Sequence, residues 1–175
     1  MTAEDEALAT LTREVAEHHV EWDVLHALYV IHRDAAGIAA RTIVGIDPAM
    51  PPDLYPVLIE AMVKERAAED GPPYALLLEM EMFGVLDLPE DAPAWQRAQL
   101  EADRVNRTLH QRADAVEAAW VHAADVHGRV WAACRERGKD GVEEAVYEPG
   151  SDKIGGQMVK AMLDALRLYG SEYVT

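Results

Sequence analysis

Hydrophobic positions along this chain recur with two different periods, and each change of period marks a change of element. Leu8, Leu11 and Val15 return at helical spacing as far as His18, and Thr2 with Asp5 resembles a capping box at the start of that helix. Leu25 to His32 is apolar on both parities, the pattern of a central strand covered on both sides. Arg33 to Gly37 turns the chain, after which Ile38, Ala40, Thr42, Val44 and Ile46 alternate with Arg41 and Gly45 in a second strand, paired as a hairpin. Asp47-Pro48 and Pro51-Pro52 end it, because proline cannot donate to a ladder. Asp53 reads as the N-cap of a second helix, with Pro56 tolerated in its first turn. Leu54, Val57, Leu58, Ala61 and Met62 are its expected inner stripe, and Asp70-Gly71-Pro72-Pro73 closes it.

Tyr74, Leu76, Leu78, Met80 and Met82 then alternate with Glu79 and Glu81, a half-buried strand with its carboxylates facing outward. Residues 84 to 93 read as a loop. Trp95, Ala98, Ala102, Val105 and Leu109 form one side of a third helix, whose later turns are made polar by Arg104, Arg107 and Arg112. From Val116 to Tyr147, two turn signals divide Val, Trp, Cys and Tyr residues into a three-stranded meander: Asp125-Val126-His127-Gly128 and Gly138-Lys139-Asp140-Gly141. Pro149-Gly150-Ser151-Asp152 supplies a break and a cap. Met158, Met162, Ala165, Leu166 and Tyr169 form a closing helix stopped at Gly170. Strands joined by short turns favour antiparallel pairing, since parallel crossovers would each need a helix. The expected fold is a single α+β domain over residues 1–175, with a predominantly antiparallel sheet and element order α-β-β-α-β-α-β-β-β-α.

A chain of 175 residues is long enough for one domain that buries roughly 70% of its unfolded surface. Its one cysteine, Cys134, cannot staple the chain, which points to a reducing cytoplasm. The opening M-T-A-E-D-E-A-L is acidic where a signal peptide would be basic, and no apolar run approaches the ~18 residues of a membrane helix. The formal net charge of −16 argues against direct contact with nucleic-acid phosphates or anionic membranes, both of which need clustered Lys and Arg.

Few constellations suggest chemistry. Among the seven histidines, His26 and His32 share a strand face but lie about 20 Å apart at strand rise, too far to share a metal ion. His18 and His19 diverge on their helix. His122 and His127 approach across a hairpin without an implied third ligand. Cys134 falls in a strand in parity with Val130 and Ala132, so burial rather than nucleophilic reactivity is expected. Gly155-Gly156 precedes a helix, but neither phosphate-loop spacing is present. Glu79 with Glu81, and Glu143 with Glu144, read as outward charged alternation. No metal or cofactor is expected.

The resulting expectation is a non-catalytic cytoplasmic binding or accessory protein, acting through a protein partner or as a homodimer. Trp22, Trp95 and Trp131 are the candidate exposed anchors, tryptophan being enriched at interface hot spots. One alternative is a hydrolase or transferase with a dispersed active site, which requires a pocket of convergent polar groups. Another is an acidic DNA mimic or anti-defence protein, which requires carboxylates concentrated on one face.

The phrases A-D-R-V-N-R (102 to 107), D-V-H-G-R-V-W (125 to 131), V-Y-E-P-G (146 to 150) and G-G-Q-M-V-K-A-M (155 to 162) resemble those of small acidic proteins encoded by actinobacteria and their phages. The resemblance spans roughly residues 20 to 170. It implies an α+β fold and carries no activity, ligand or catalytic residue.

Overall fold

The computed structural model describes residues 2–19, 21–22, 26–34, 36–47, 50–84, 91–106, 108–154 and 156–170. Leu25, Pro48, Arg107, Gly155 and the loop from 85 to 90, which entered the reading above, lie outside these residues, as do the side chains of Ala40, Arg41, Thr42 and Arg104. In chain order the elements are α1 (Ala3–His18), β1 (His26–Asp34), β2 (Gly37–Ile46), α2 (Tyr55–Asp70), β3 (Ala75–Gly84), α3 (Ala94–Val105), β4 (Val116–Asp125), β5 (Val130–Glu136), β6 (Glu143–Tyr147) and α4 (Gln157–Tyr169). Single 3-10 turns at Pro52–Leu54 and Leu109–Gln111 precede α2 and β4. The strands form one antiparallel sheet in the order β2-β1-β3-β4-β5-β6. The fold is α+β with the expected element order.

Helices cover both faces of the sheet. α2 and α4 pack on each other and on one face, where Leu28, Val30, Leu76, Leu78, Ala124 and Val130 meet Ile59, Val63, Val159, Met162 and Leu166. α1 lies across β4 and β5 on the other face, burying Leu8 and Ala16 against Leu77, Val121, Ala123, Trp131 and Ala133. Its start is the expected capping box: Asp5 N–H donates to Thr2 Oγ1 at 3.2 Å and Thr2 N–H donates to Asp5 Oδ2 at 2.7 Å. The same Asp5 oxygen accepts Arg129 Nη1 at 2.6 Å, tying the helix start to the entrance of β5. Arg135 ties the other end, donating from Nη1 to the carbonyls of Glu17 and His19 at 2.6 and 2.9 Å.

The meander turns form as their residues dictate. Asp125 Oδ1 accepts the N–H groups of His127 and Arg129 at 3.0 and 2.9 Å, and Gly128 takes φ +86°. Four expectations are corrected. First, β2 does not keep one alternation: Val30 pairs with Thr42 but Ile31 pairs with Ala40, so Arg41 is the extra residue of a bulge. Ile38 therefore packs in the α1 core while Val44 and Ile46 belong to the opposite one.

Second, α2 buries Tyr55, Ile59, Met62 and Val63, whereas Val57 is 68% exposed. The first half of that helix is apolar nearly all round, so periodicity leaves its phase open. The 3-10 turn also displaces Asp53 from the N-cap position, which Leu54 takes. Third, α4 starts after Gly156, and Ser151 caps a separate turn by accepting Lys153 N–H at 3.2 Å. Fourth, β3 is covered on both faces instead of one, and Glu79 and Glu81 are turned under α1.

Gly170, which ends α4, has no room for a side chain. A β-carbon there would lie 2.6 Å from Val126 Cγ1 and 2.8 Å from the carbonyl oxygens of both Leu166 and Pro73. Two of these three atoms are backbone and cannot rotate away. Gly170→Ala is expected to lower unfolding free energy by about 1–3 kcal/mol, the cost of overpacking, measured by urea denaturation.

Candidate functional site

The central strand β3 brings two carboxylates to the α1 face beside residues that are far away in sequence. Its N-terminal half is apolar on both sides, but Glu79 and Glu81 share a parity with Leu77 and so point toward α1. α1 ends one turn above them. His19, just past the helix, places Nδ1 2.7 Å from Glu79 Oε1 and Nε2 3.1 Å from Glu81 Oε1. The His19 side chain is 4% exposed. Tyr29 of β1 donates its hydroxyl to Glu79 Oε2 at 3.0 Å. Burial, followed by the charge and hydrogen bond of Glu79, pushes the Tyr29 phenol up to about 12.

A carboxylate only accepts, so both His19 contacts are hydrogen bonds when both ring nitrogens carry hydrogen. Both ring nitrogens are thereby engaged by carboxylate oxygens of β3. The cluster's work is to hold the end of α1 on the sheet. Leu11, Glu14, Val15, His18, Tyr29 and Glu79 line a shallow groove of about 250 Å³ beside it. Sequence reading assigned these glutamates to solvent; the one available signal was that β3 is apolar on both parities just before them.

The three candidate tryptophans have different fates. Trp131 is 2% exposed, packed under α1 with the Arg129 guanidinium 5.9 Å from its ring centroid, so it is a core residue and no surface anchor. Its parity in β5 points to the face that α1 covers. Trp22 is half-buried, edge-on to His19 at 4.9 Å and beneath Arg137 at 5.1 Å. Trp95 is 68% exposed on α3. The structure does not bring the three together.

α3 differs from the other helices. Leu100 points inward and is 5% exposed, while Trp95, Ala98, Ala102 and Val105 all face solvent, Val105 at 72%. These four positions, at i, i+3, i+7 and i+10, form a continuous stripe down one side of the helix. The stripe expected to enter the core therefore lies outside. α3 is attached near its C-terminal end. Asp103 accepts Arg112 Nη1 at 2.9 Å and Thr108 Oγ1 at 3.2 Å, and Arg112 reaches on to Asp114 at 2.6 Å. These hydrogen bonds hold the Asp103 and Asp114 carboxyls below their usual range. Leu109 lies in the following 3-10 turn instead of extending the helix.

The other candidates fall into place around these features. Cys134 is buried, and burial with the charges of Glu143 and Glu136 pushes its thiol up to about 12, away from thiolate reactivity. His26 bonds Tyr55 Oη at 2.7 Å, and His32 faces the Pro72 carbonyl at 3.3 Å. Among the described residues no three His, Cys, Asp or Glu side chains are arranged to hold a metal. A cleft of about 400 Å³ lies between the β4–β5 turn and α4, lined in part by Asp125, His127, Ser151, Lys160, Asp164 and Arg167. Asp125 is committed to the turn, and Arg167 donates to Asp164 at 2.8 Å. Glu143 and Glu144 are exposed on β6. No family model, curated protein or solved structure matches this chain.

Two outcomes are expected. His19→Ala removes the hydrogen-bond partner that Glu79 and Glu81 share, and should lower stability by about 1–3 kcal/mol in chemical denaturation. Second, burial lowers the His122 imidazole from 6.5 to about 4. Between those values the unfolded chain takes up a proton that the folded chain refuses, so stability falls as pH drops through that window. In His122→Leu the decline between pH 6.5 and 4 should be shallower, as measured by urea midpoints across pH.

Proposed function

We propose that this chain is a non-catalytic cytoplasmic binding or accessory protein that works through protein–protein contacts, with the outer side of α3 as its docking face. The observation that carries the reading is the exposed stripe of Trp95, Ala98, Ala102 and Val105. A helix of an ordinary surface turns its apolar side inward; here Leu100 alone does so at mid-helix, and the longer stripe faces out. Trp95 supplies the large anchor typical of an interface centre, and the alanines supply close approach.

The cleft beside α4 gives less support to a hydrolase or transferase. Its imidazole, hydroxyl and carboxylate groups come from separate elements, and among the described residues no nucleophile there is hydrogen-bonded to a base. The acidic-mimic alternative also has less support. Arginines interleave with the acids on several elements, as in Arg33 with Glu4, Arg129 with Asp5 and Arg137 with Glu117. Such pairing dilutes a single-sign face. Among the described residues no helix is long and apolar enough to cross a membrane.

Cross-linking of the wild-type chain in an extract of its host, read by mass spectrometry, is expected to place the cross-links on and around α3. The variants Trp95→Ala and Ala98→Glu should each remove them while leaving the circular dichroism spectrum unchanged and the unfolding free energy in urea within about 0.5 kcal/mol of wild type, as for ordinary surface substitutions. Cross-links that persist unchanged in both variants would move the binding surface elsewhere.

A further inference from the structure

We infer that the occupant of the α3 stripe is a second copy of this chain, docked with its own α3 antiparallel across a two-fold axis near residue 100. This inference rests on the docking reading and names its partner.

Two observations point to self-association over a different protein, and a third sets its strength. The first is spacing. Trp95, Ala98, Ala102 and Val105 are separated by three, four and three residues, a pattern that reads the same in both directions. A two-fold contact places a patch on itself, so each residue must find a suitable partner in the same list. Antiparallel pairing about residue 100 sets Trp95 against Val105 of the partner subunit and Ala98 against Ala102 of the partner subunit. The large side chains then close the two ends and the small ones meet in the middle. Alanine at the crossing lets the helix axes come to about 8 Å, the close end of helix packing.

The second observation is charge. The whole chain carries −16, so two copies repel over most of their surface. α3 carries Arg97 and Arg104 against Glu101 and Asp103 and is neutral. The apolar stripe thus lies on an element that adds no net charge to the repulsion between two acidic chains. A strongly basic partner would instead be drawn to the acidic remainder of the surface.

The third is size. A 12-residue helix about 18 Å long and about 10 Å wide presents a face of roughly 200 Å², well short of the about 800 Å² per partner found in stable complexes. A contact built on it alone is a weak, concentration-dependent dimer, with a dissociation constant on the order of micromolar or higher.

The test uses the full chain. Sedimentation equilibrium of the wild type is expected to give a mass rising from 19.3 kDa toward twice that value with concentration. Ala98→Glu should weaken the association roughly tenfold or more, because it buries an unpaired carboxylate at the crossing. Register is tested by disulfide trapping. Ala98→Cys and Ala102→Cys proteins, mixed in equal amounts under mild oxidant, should form the mixed disulfide dimer several-fold faster than either variant alone, since the 98–102 pairing brings the α-carbons closest, well within the about 7 Å that a disulfide spans. The wild type, with Cys134 buried, is the blank. Both cysteines replace exposed alanines, and an unchanged circular dichroism spectrum confirms folding.

A monomeric mass up to millimolar concentration overturns the dimer, as does equal trapping in single and mixed samples. If that monomer still shows cross-links to another protein that vanish in Trp95→Ala, self-association falls and the docking reading stands. If it shows none, both fall.

Discussion

The strand at the centre of the sheet has to satisfy two faces at once, and the rest of the molecule is arranged around how it does so. Toward α2 and α4, β3 presents Leu76, Leu78 and Met80, a plain apolar surface that two packed helices cover. Toward α1 it presents Ala75 and Leu77 and then changes to Glu79 and Glu81. A buried carboxylate without a donor is costly, so the cover over that second half has to bring hydrogen-bonding groups with it. His19 and Tyr29 supply them. The position of the end of α1 is therefore fixed by polar geometry, whereas its middle is fixed by apolar contact.

The same division runs along the whole length of α1. Its start is held by Asp5 and Arg129 and its end by Arg135 on the last carbonyls, so two arginines of one strand region bracket a helix of 16 residues. Between these clamps, Thr12 returns its hydroxyl to the Leu8 carbonyl at 2.7 Å, satisfying the one buried polar side chain in the middle of the helix. The arrangement restrains α1 against sliding along β4 and β5, a motion that apolar packing by itself opposes only weakly.

How much of this was legible in the sequence depended on how local the cause was. The meander, the hairpin, the capping box and the element order follow from residues that act on their own neighbours: Asp125 and Gly128 at a turn, Thr2 and Asp5 at a helix start. Apart from the two helix starts, where Asp53 and Ser151 serve a preceding turn instead of the helix, the failures needed knowledge of what lies opposite. Nothing in residues 38 to 46 announces that Arg41 is looped out, because the bulge is set by register against β1. Val57 and Ile59 are equally apolar, and the sheet decides which is buried. Glu79 and Glu81 look like solvent-facing acids until His19 is brought over them from 60 residues away. α3 is the reverse case. Its stripe from Trp95 to Val105 keeps the helical period, though Leu109 falls beyond the helix, and an amphipathic pattern says only that one side is apolar, and not that the chain itself supplies the cover.

The bulge at Arg41 has a consequence beyond β2. An open sheet ends in two strands whose outer N–H and C=O groups invite further strands, and here those strands are β2 and β6. On one border the bulge breaks the even ladder that an incoming strand would need to match. On the other, β6 is five residues long and begins with the exposed pair Glu143 and Glu144, which would face their own like charges in a stacked copy. Growth of the sheet from molecule to molecule is blunted at both borders, which spares an acidic, cysteine-poor chain from the runaway polymerisation to which unprotected sheet margins are prone.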